Sequence, residues 1–336
     1  MERQQEQPLI GESPVFLEVL ERVSRVAQLN RPVLVIGERG TGKELIAARI
    51  HYLSPRWDRP FVKLNCAALA ESLLETELFG HEAGSFTGAT RRRLGRFELA
   101  NEGSLFLDEL ANTSDRVQEK ILRVIEYGEL ERVGGNDTIN TDVRIIGATN
   151  EDLPALAEQG KFRADLLDRL AFDVITLPPL RERQDDILPL AAHFAVKMSG
   201  ELGLELFAGF SEPTRELLLD YAWPGNVREL KNVVERAVYT SLGSDEPISE
   251  INFDPFESPW RPGGIKTESG DTTDSVKPAE SYDFKEHIQK TEIDLLQDAL
   301  KRNRFNQKKT AEFLGMTYHQ LRGYLRKYEL NESEED

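Results

Sequence analysis

The sequence predicts an α/β fold with a parallel sheet core, then an all-helical subdomain, then a separate C-terminal helix-turn-helix. Three observations predict it. Short β-branched runs alternate with helix-length segments through the first half, the pattern of βαβ units. After Pro178-Pro179 the apolar residues recur at three- and four-residue spacing and the strand-like runs stop. A stretch rich in Pro, Gly, Ser and Thr then separates this block from a short basic segment with helical pattern.

Five strands are expected, each ending in polar residues. Val33-Leu34-Val35-Ile36 runs into a glycine-rich turn, Phe61-Val62-Lys63-Leu64 into Asn65, and Leu105-Phe106-Leu107 into Asp108-Glu109. Val143-Arg144-Ile145-Ile146 runs into Gly147-Ala148-Thr149-Asn150, and Phe172-Asp173-Val174-Ile175 into Leu177-Pro178-Pro179. Open α/β sheets place ligands at the carboxyl ends of their strands, where these polar groups fall. Helices are expected over Asp186–Ser199, Pro213–Tyr221 and Asn226–Thr240, the last preceded by a Trp223-Pro224-Gly225 turn. The expected boundaries are 1–179 for the sheet subdomain and 180–247 for the helical one. A flexible linker over 248–283, a helix-turn-helix domain over 284–330 and an acidic tail over 331–336 complete the chain.

At 336 residues the chain has length for two or three domains, and 39% hydrophobic residues suffice for a core. No apolar run approaches the ~18 residues of a membrane span. The opening Met1–Gln7 is polar and lacks the apolar stretch of a secretory signal. A single cysteine, Cys66, excludes a disulfide framework and a cysteine-built zinc site, so a cytoplasmic protein is expected. The net charge of −17 argues against nucleic acid as a whole-chain partner. Locally, however, Lys301, Arg302, Arg304, Lys308, Lys309, Arg322, Arg326 and Lys327 stand against one acid, Glu312, either a solvated face or a nucleic-acid footprint.

Gly37-Glu38-Arg39-Gly40-Thr41-Gly42-Lys43 fits the phosphate-binding loop G-x-x-x-x-G-K, with a strand before it and an amphipathic helix, Glu44–His51, after it. Its glycines let backbone N–H groups converge on phosphate oxygens, and Lys43 belongs at the β- and γ-phosphates. Glu44 stands where the general motif has Ser or Thr for Mg²⁺, so the metal must depend on Asp108, the phosphates and water. Asp108 is expected in the Mg²⁺ shell, and Glu109 is expected to polarise the attacking water. The expected chemistry is Mg²⁺-dependent ATP hydrolysis.

Taken with Glu77-Leu78-Phe79-Gly80-His81-Glu82, Gly84-Ser85-Phe86-Thr87-Gly88-Ala89 and Trp223-Pro224-Gly225-Asn226-Val227-Arg228-Glu229-Leu230, these motifs resemble the sigma-54-dependent transcription activators, the bacterial enhancer-binding proteins of the AAA+ class. The resemblance runs from about Leu9 to Thr240 and continues in a C-terminal Fis-type helix-turn-helix. It implies an AAA+ P-loop NTPase with a helical lid, and explains Glu44 as the family's usual residue. It places Ile10 and Gly11 with the nucleotide, pairs Asn65 with Glu109, and makes Thr149 and Asn150 the sensor after the fourth strand. It offers Arg163 and Arg169 as arginine fingers to a neighbouring subunit in a hexameric ring; surface pairing with Asp165 and Asp168 is the plain alternative. Arg228 becomes the lid's second sensor.

The same resemblance makes Gly84–Ala89 the loop that engages sigma-54 in the RNA polymerase holoenzyme, with Phe86 and Thr87 between glycines and Ser85 in place of the usual Ala. The plain reading tucks Phe86 into its own core. A second loop near Leu130–Asn136 would support the first. Fewer than ten residues precede Leu9-Ile10-Gly11, and this organisation resembles the phage-shock branch of the family, which serves envelope-stress promoters. That branch implies phage-shock protein A as a separate inhibitory partner, with Trp57 either its contact or an ordinary buried tryptophan.

At the other end, Gln307–Leu314, Gly315-Met316 and Thr317–Lys327 read as helix, turn, helix. Ala311, Leu314, Leu321 and Leu325 form the expected seam, and Thr317 the expected cap. Gln307, Lys308, Thr317, Tyr318, His319, Gln320 and Arg322 are candidates for DNA contact, with Arg326 and Lys327 suited to phosphates. Phe284, Ile288, Leu295 and Leu296 line one side of the preceding helix, which is expected to pair two chains on an upstream double-stranded site. The whole describes an ATP-driven remodeller of closed promoter complexes. The competing readings are a nucleotide-controlled DNA-binding regulator without remodelling, and a different AAA+ machine.

Overall fold

A parallel strand buried on both faces needs apolar side chains along its middle, and the central strands have them at Val33–Val35, Leu105–Leu107 and Ile145–Ile146. The computed structural model describes residues 9–86, 89–204, 206–242, 246–256, 284–303 and 306–328. Thr87, Gly88, the stretch 257–283 and the tail 331–336 therefore lie outside the described residues. The chain divides into two units, Met1–Glu257 and Ser258–Asp336.

The first unit opens with α1 (Pro14–Ala27), β1 (Val33–Ile36), α2 (Lys43–Tyr52), β2 (Phe61–Asn65) and α3 (Glu71–Phe79). It continues through α4 (Arg96–Leu99), β3 (Ser104–Asp108), α5 (Asp115–Tyr127) and a hairpin of β4 (Glu129–Glu131) and β5 (Thr138–Asn140). Then come β6 (Arg144–Thr149), α6 (Leu153–Glu158), α7 (Ala164–Leu170) and β7 (Val174–Thr176). Five strands form one parallel sheet in the order β2-β3-β6-β1-β7. Alternation along the strands divides the core in two. Leu34, Leu105, Leu107 and Ile145 pack with Leu78, Ile121 and Leu166 on one face. Val33, Val35, Phe106, Ile146 and Ala148 pack with Phe16, Val23, Ile46 and Ile50 on the other.

Three differences from the expected strands have physical causes. β6 extends to Thr149, because Ala148 and Thr149 pair with Val35 and Ile36 and are buried. β7 begins only at Val174; Phe172 is exposed, and the Arg31 guanidinium lies 5.8 Å from its ring centroid. The expected loop near Leu130–Asn136 is carried by the β4–β5 hairpin, whose strands are too short to register as period-two runs. Arg144, at the start of β6, is buried and donates to the carbonyls of Val26 and Ala27, both at 2.8 Å, neutralising the carboxyl end of α1. Burial lowers its pKa to about 10.

The helical lid comprises α8 (Ile187–Glu201), α9 (Glu212–Asp220) and α10 (Asn226–Thr240). Its core gathers Leu180, Ile187, Leu190, Leu218, Trp223, Leu230, Val234 and Val238. Trp223 is fully buried and donates its indole N–H to Leu218 O at 2.8 Å. The lid runs past the expected limit at residue 247. Ile248 is buried, exchanges backbone bonds with Gly209 and Ser211, and Phe253 stacks on Tyr221 at 4.3 Å. Apolar anchoring therefore removes residues 248–253 from the expected linker.

The second unit contains α11 (Phe284–Arg302), α12 (Gln307–Phe313) and α13 (Tyr318–Lys327). Leu296, Leu300, Ala311, Leu321 and Leu325 form its core, with Leu314 and Met316 against it. Leu295 is exposed, so it does not share the face of Leu296; adjacent helical residues point about 100° apart. The side chains of Phe284 and Ile288 lie outside the described residues. Thr317 caps α13 through Gln320 N at 3.3 Å, and the Gln320 side chain accepts from Thr317 N at 2.9 Å. Among the described residues no helix is long and apolar enough to cross a membrane.

Candidate functional site

The loop from β1 to α2 carries Gly37–Lys43 at the carboxyl edge of the sheet. Gly42 is the N-cap of α2, in a left-handed conformation with φ 99°, and no side chain caps the helix. The first-turn N–H groups of α2 and its positive dipole end therefore face the loop without a protein acceptor from a capping side chain. Lys43 is buried and its Nζ donates to Gly37 O at 2.8 Å and Glu38 O at 3.2 Å. Burial lowers the pKa of its ammonium, while the Glu109 and Asp108 carboxylates oppose that shift. Thr41 Oγ1 donates to Glu38 O at 2.8 Å, and Gly37 N to Thr149 O at 3.2 Å, fastening the loop internally and to β6. Glu44 pairs outward with Lys63 at 3.0 Å.

The adjoining wall holds the acids. Asp108 ends β3 and accepts Glu109 N at 3.0 Å through Oδ1. Glu109 has φ 52°, a left-handed backbone that turns its carboxylate out of line with the strand. Asn150, with its amide nitrogen toward the carboxylate, donates to Glu109 Oε2 at 2.6 Å and Oε1 at 3.3 Å. Asn65 Nδ2 lies 3.5 Å from Asp108 Oδ2, and its Oδ1 accepts Ala67 N at 2.9 Å. In this structure Asn65 thus lies against Asp108 rather than the expected Glu109. β2 neighbours β3 in register, which places Asn65 opposite Asp108, while the end of β6 brings Asn150 to Glu109. Thr149 is buried, and its Oγ1 accepts Glu151 N at 3.0 Å.

The lid meets the loop directly. Arg181 donates to both oxygens of Glu38, at 3.0 and 2.6 Å, and Asn226 Nδ2 donates to Glu38 Oε2 at 3.0 Å. Those bonds lower the Glu38 pKa to about 2. A Cβ on Gly40 would stand 2.3 Å from Gly225 O and 3.1 Å from Arg228 Cβ, so only glycine permits this approach. Ile10 packs on the lid core, and Asp186 accepts Glu12 N at 2.6 Å and Ser13 N at 2.8 Å, holding the segment that contains Gly11. Arg181 and Asp186 escaped the sequence reading. Exposed or buried, an isolated charge in a helical segment carries no local signal of a partner more than a hundred residues away.

The chemistry of these donors fits a magnesium nucleotide. An uncapped helix start and a buried lysine suit phosphates. No group of three or more metal-binding side chains occurs among the described residues. Asp108 at the end of β3 presents one carboxylate at this edge, a ligand type that Mg²⁺ shares with phosphates and water.

Arg163 stands at the N-cap position of α7 without a side-chain capping bond and pairs with Asp165 at 2.8 Å and Asp115 at 3.7 Å, while Arg169 pairs with Glu126 at 2.9 Å rather than with Asp168. Arg163 is half-buried and Arg169 exposed, and each is held in an ion pair of its own chain.

Phe86 is 44% exposed, with its ring edge-on to His81 at 5.0 Å, so it does not enter the core. Gly84 N donates to Ala89 O at 2.7 Å, and Thr87 and Gly88 of the expected contact loop lie outside the described residues. Ser85 packs on the hairpin: a Cβ on Gly134 would stand 2.5 Å from Ser85 Cβ. Below it, Arg132 reaches from the hairpin to Glu82 at 2.7 Å and, by two bonds, to Glu98. Trp57 is 63% exposed, which corrects the buried alternative.

In the second unit, Gln307, Lys308, Tyr318, His319, Arg322 and Arg326 are exposed or half-exposed. Thr317 and Gln320 are partly used by the capping box, and Lys327 is engaged by Glu292 at 3.5 Å and by Tyr328 OH.

Comparison with known proteins supplies three family matches in chain order. Residues 9–176 match the Sigma-54 interaction domain, 181–256 the AAA+ ATPase lid domain, and 288–328 the Fis family of bacterial regulatory proteins. The chain is 58% identical over 322 residues to the Psp operon transcriptional activator of Escherichia coli (strain K12), covering 96% of this chain and 98% of that one. It is 52% identical over 236 residues to a Nif-specific regulatory protein of Azotobacter vinelandii, covering 70% of this chain and 45% of that one. The crystal structures of NtrX from Brucella abortus in complex with ADP and with ATP superpose with TM-scores of 0.69 and 0.68. Their identities are 31% and 32%, and each covers 95% of this chain and 69% of that one.

Proposed function

The chain belongs to the sigma-54-dependent transcription activators, whose central domain is an AAA+ ATPase, and on that premise we propose that it is a cytoplasmic, DNA-bound remodeller of the sigma-54 RNA polymerase holoenzyme. It assembles as a hexameric ring and converts closed promoter complexes to open ones. Its promoters belong to the envelope-stress class served by the phage-shock branch, and phage-shock protein A restrains it, with exposed Trp57 a contact for that partner.

The observation that carries this reading is the connection between two sites on one subdomain. Lys43, Asp108, Glu109 and Asn150 gather at the sheet edge. β3 then leads through α5 into the hairpin that buttresses the Phe86 loop. When bound, ATP with Mg²⁺ supplies the phosphoanhydride bond whose hydrolysis drives the work. Lys43 and the N–H groups at the start of α2 bind the phosphates, and Asp108 would hold the metal ion. Glu109 accepts the proton of the attacking water, with Asn150 orienting its carboxylate and Thr149 fixing the loop from behind. Arg228 faces the nucleotide from the lid. Arg163 and Arg169 leave their own-chain partners for the neighbouring protomer's phosphates, which makes hydrolysis depend on the ring.

In vitro transcription from a sigma-54 promoter tests the reading. Wild-type protein with ATP should form open complexes, whereas Lys43→Ala should not. Phe86→Ala should hydrolyse ATP without activating. Open complexes formed with a non-hydrolysable analogue would instead support a nucleotide-controlled regulator.

A further inference from the structure

A loop built to attract phosphate carries an acid as its second residue, Glu38. A carboxylate can only accept hydrogen bonds, so Glu38 cannot bond a phosphate oxygen, and its charge repels one. Its low pKa means that it is ionised throughout the working range. In the structure that carboxylate is turned to the hinge between sheet and lid. Arg181 grips it with two nitrogens, the bidentate geometry of a strong charge-assisted pair.

The grip is itself supported. Asn226 is fully buried with φ 53°, and its side chain makes three bonds. Its Oδ1 accepts Leu180 N at 2.8 Å, beside Arg181, and its Nδ2 donates to Glu38 Oε2 at 3.0 Å and Arg39 O at 3.1 Å. Arg183, two residues further along the hinge, donates to Thr41 O at 3.2 Å. Three loop residues, 38, 39 and 41, are thus each bonded to a hinge or lid side chain.

We propose that Arg181 is a positioning residue for nucleotide binding: it neutralises Glu38 and holds the loop's own carboxylate away from the phosphates, with Asn226 fixing the pair. This deepens the nucleotide reading of the same site and rests on it. The same tether makes Glu38 a hinge residue that loop and lid share, rather than a phosphate ligand.

A neutralising role has a signature that a purely structural one lacks. Losing Arg181 does harm only while Glu38 is charged, so removing the charge should repair the loss. Equilibrium binding of a fluorescent ATP analogue to the full chain, with KM and kcat for ATP, reads this out. Arg181→Ala should weaken binding about tenfold, in KM far more than in kcat. Arg181→Lys should retain most of the affinity. The double variant Glu38→Gln with Arg181→Ala should return to within about twofold of Glu38→Gln alone, a non-additive cycle. Arg181→Gln, which keeps a donor and drops the charge, carries the same comparison if the alanine variant does not fold. Arg181→Ala binding like wild type, or a loss that persists unchanged in the Glu38→Gln background, would overturn the inference. Failure of the wild-type chain to bind the analogue would overturn the nucleotide reading instead.

Discussion

The Asn150 amide donates to both oxygens of Glu109, at 2.6 and 3.3 Å, joining the end of β6 to the residue that follows β3. The link reaches across neighbouring strands, and it holds the carboxylate of a residue whose backbone is already in a left-handed turn. Substitutions should separate orientation from chemistry. Glu109→Ala should bind ATP and lose about 10²–10⁴ in kcat. Asn150→Ala should lose less, about tenfold in kcat, because the base remains but is free to rotate. Steady-state ATPase with parallel nucleotide binding checks both; unchanged turnover in Glu109→Ala would remove its assigned role.

Arg163 and Arg169 are held by acids of their own chain, so their proposed role requires those pairs to exchange partners at an interface. Either alanine variant should lose about 10³ in ATPase at saturating protein. Mixing Arg169→Ala with Glu109→Ala chains should restore part of the rate, since some interfaces then combine an intact finger with an intact base. Absence of recovery in mixtures would place both groups on one protomer.

Arg132 is buried against Glu98 and paired to Glu82, which lies at the base of the Phe86 loop. Charge-assisted bonding to Glu98, and then to Glu82, raises its pKa above the ordinary arginine value. Arg132→Ala leaves Glu98 buried without its partner and should cost about 3–5 kcal/mol in urea unfolding. Glu98→Gln should cost less, because the amide still accepts from the guanidinium.

His51 is fully buried, stacked on Phe61 at 4.8 Å, with Nδ1 3.0 Å from Ser104 Oγ. Burial lowers its pKa from 6.5 to about 4, helped by the nearby Arg144 charge. Between those values the unfolded chain binds the proton that the folded chain refuses, so stability rises with pH across that window. The contribution is complete above about 6.5 and is lost as the pH falls towards about 4, amounting to at most about 3 kcal/mol. Thermal melts should show this slope in the wild type, and His51→Gln should flatten it.

Much of the sheet was legible because central parallel strands declare themselves as short apolar runs: Val33–Ile36 and Leu105–Leu107 need no context to be recognised. The phosphate-binding loop was legible for a similar reason, since glycine spacing and lysine are local chemistry. The hairpin was not, because three-residue strands are shorter than the period that would reveal them. Asn65 was legible as the polar residue ending its strand, but its register opposite Asp108 was not.

The amino-acid order by itself determined the family motifs, the runs at the centre of the parallel sheet and the seam of the C-terminal helices, since each depends on neighbours within a few turns of chain. Tertiary structure alone decided the partners: Asn150 with Glu109, Arg181 with Glu38, Arg132 with Glu98. Each joins residues tens to more than a hundred positions apart, and a carboxylate's partner is whichever donor the packing of the sheet and lid carries to within 3 Å of it.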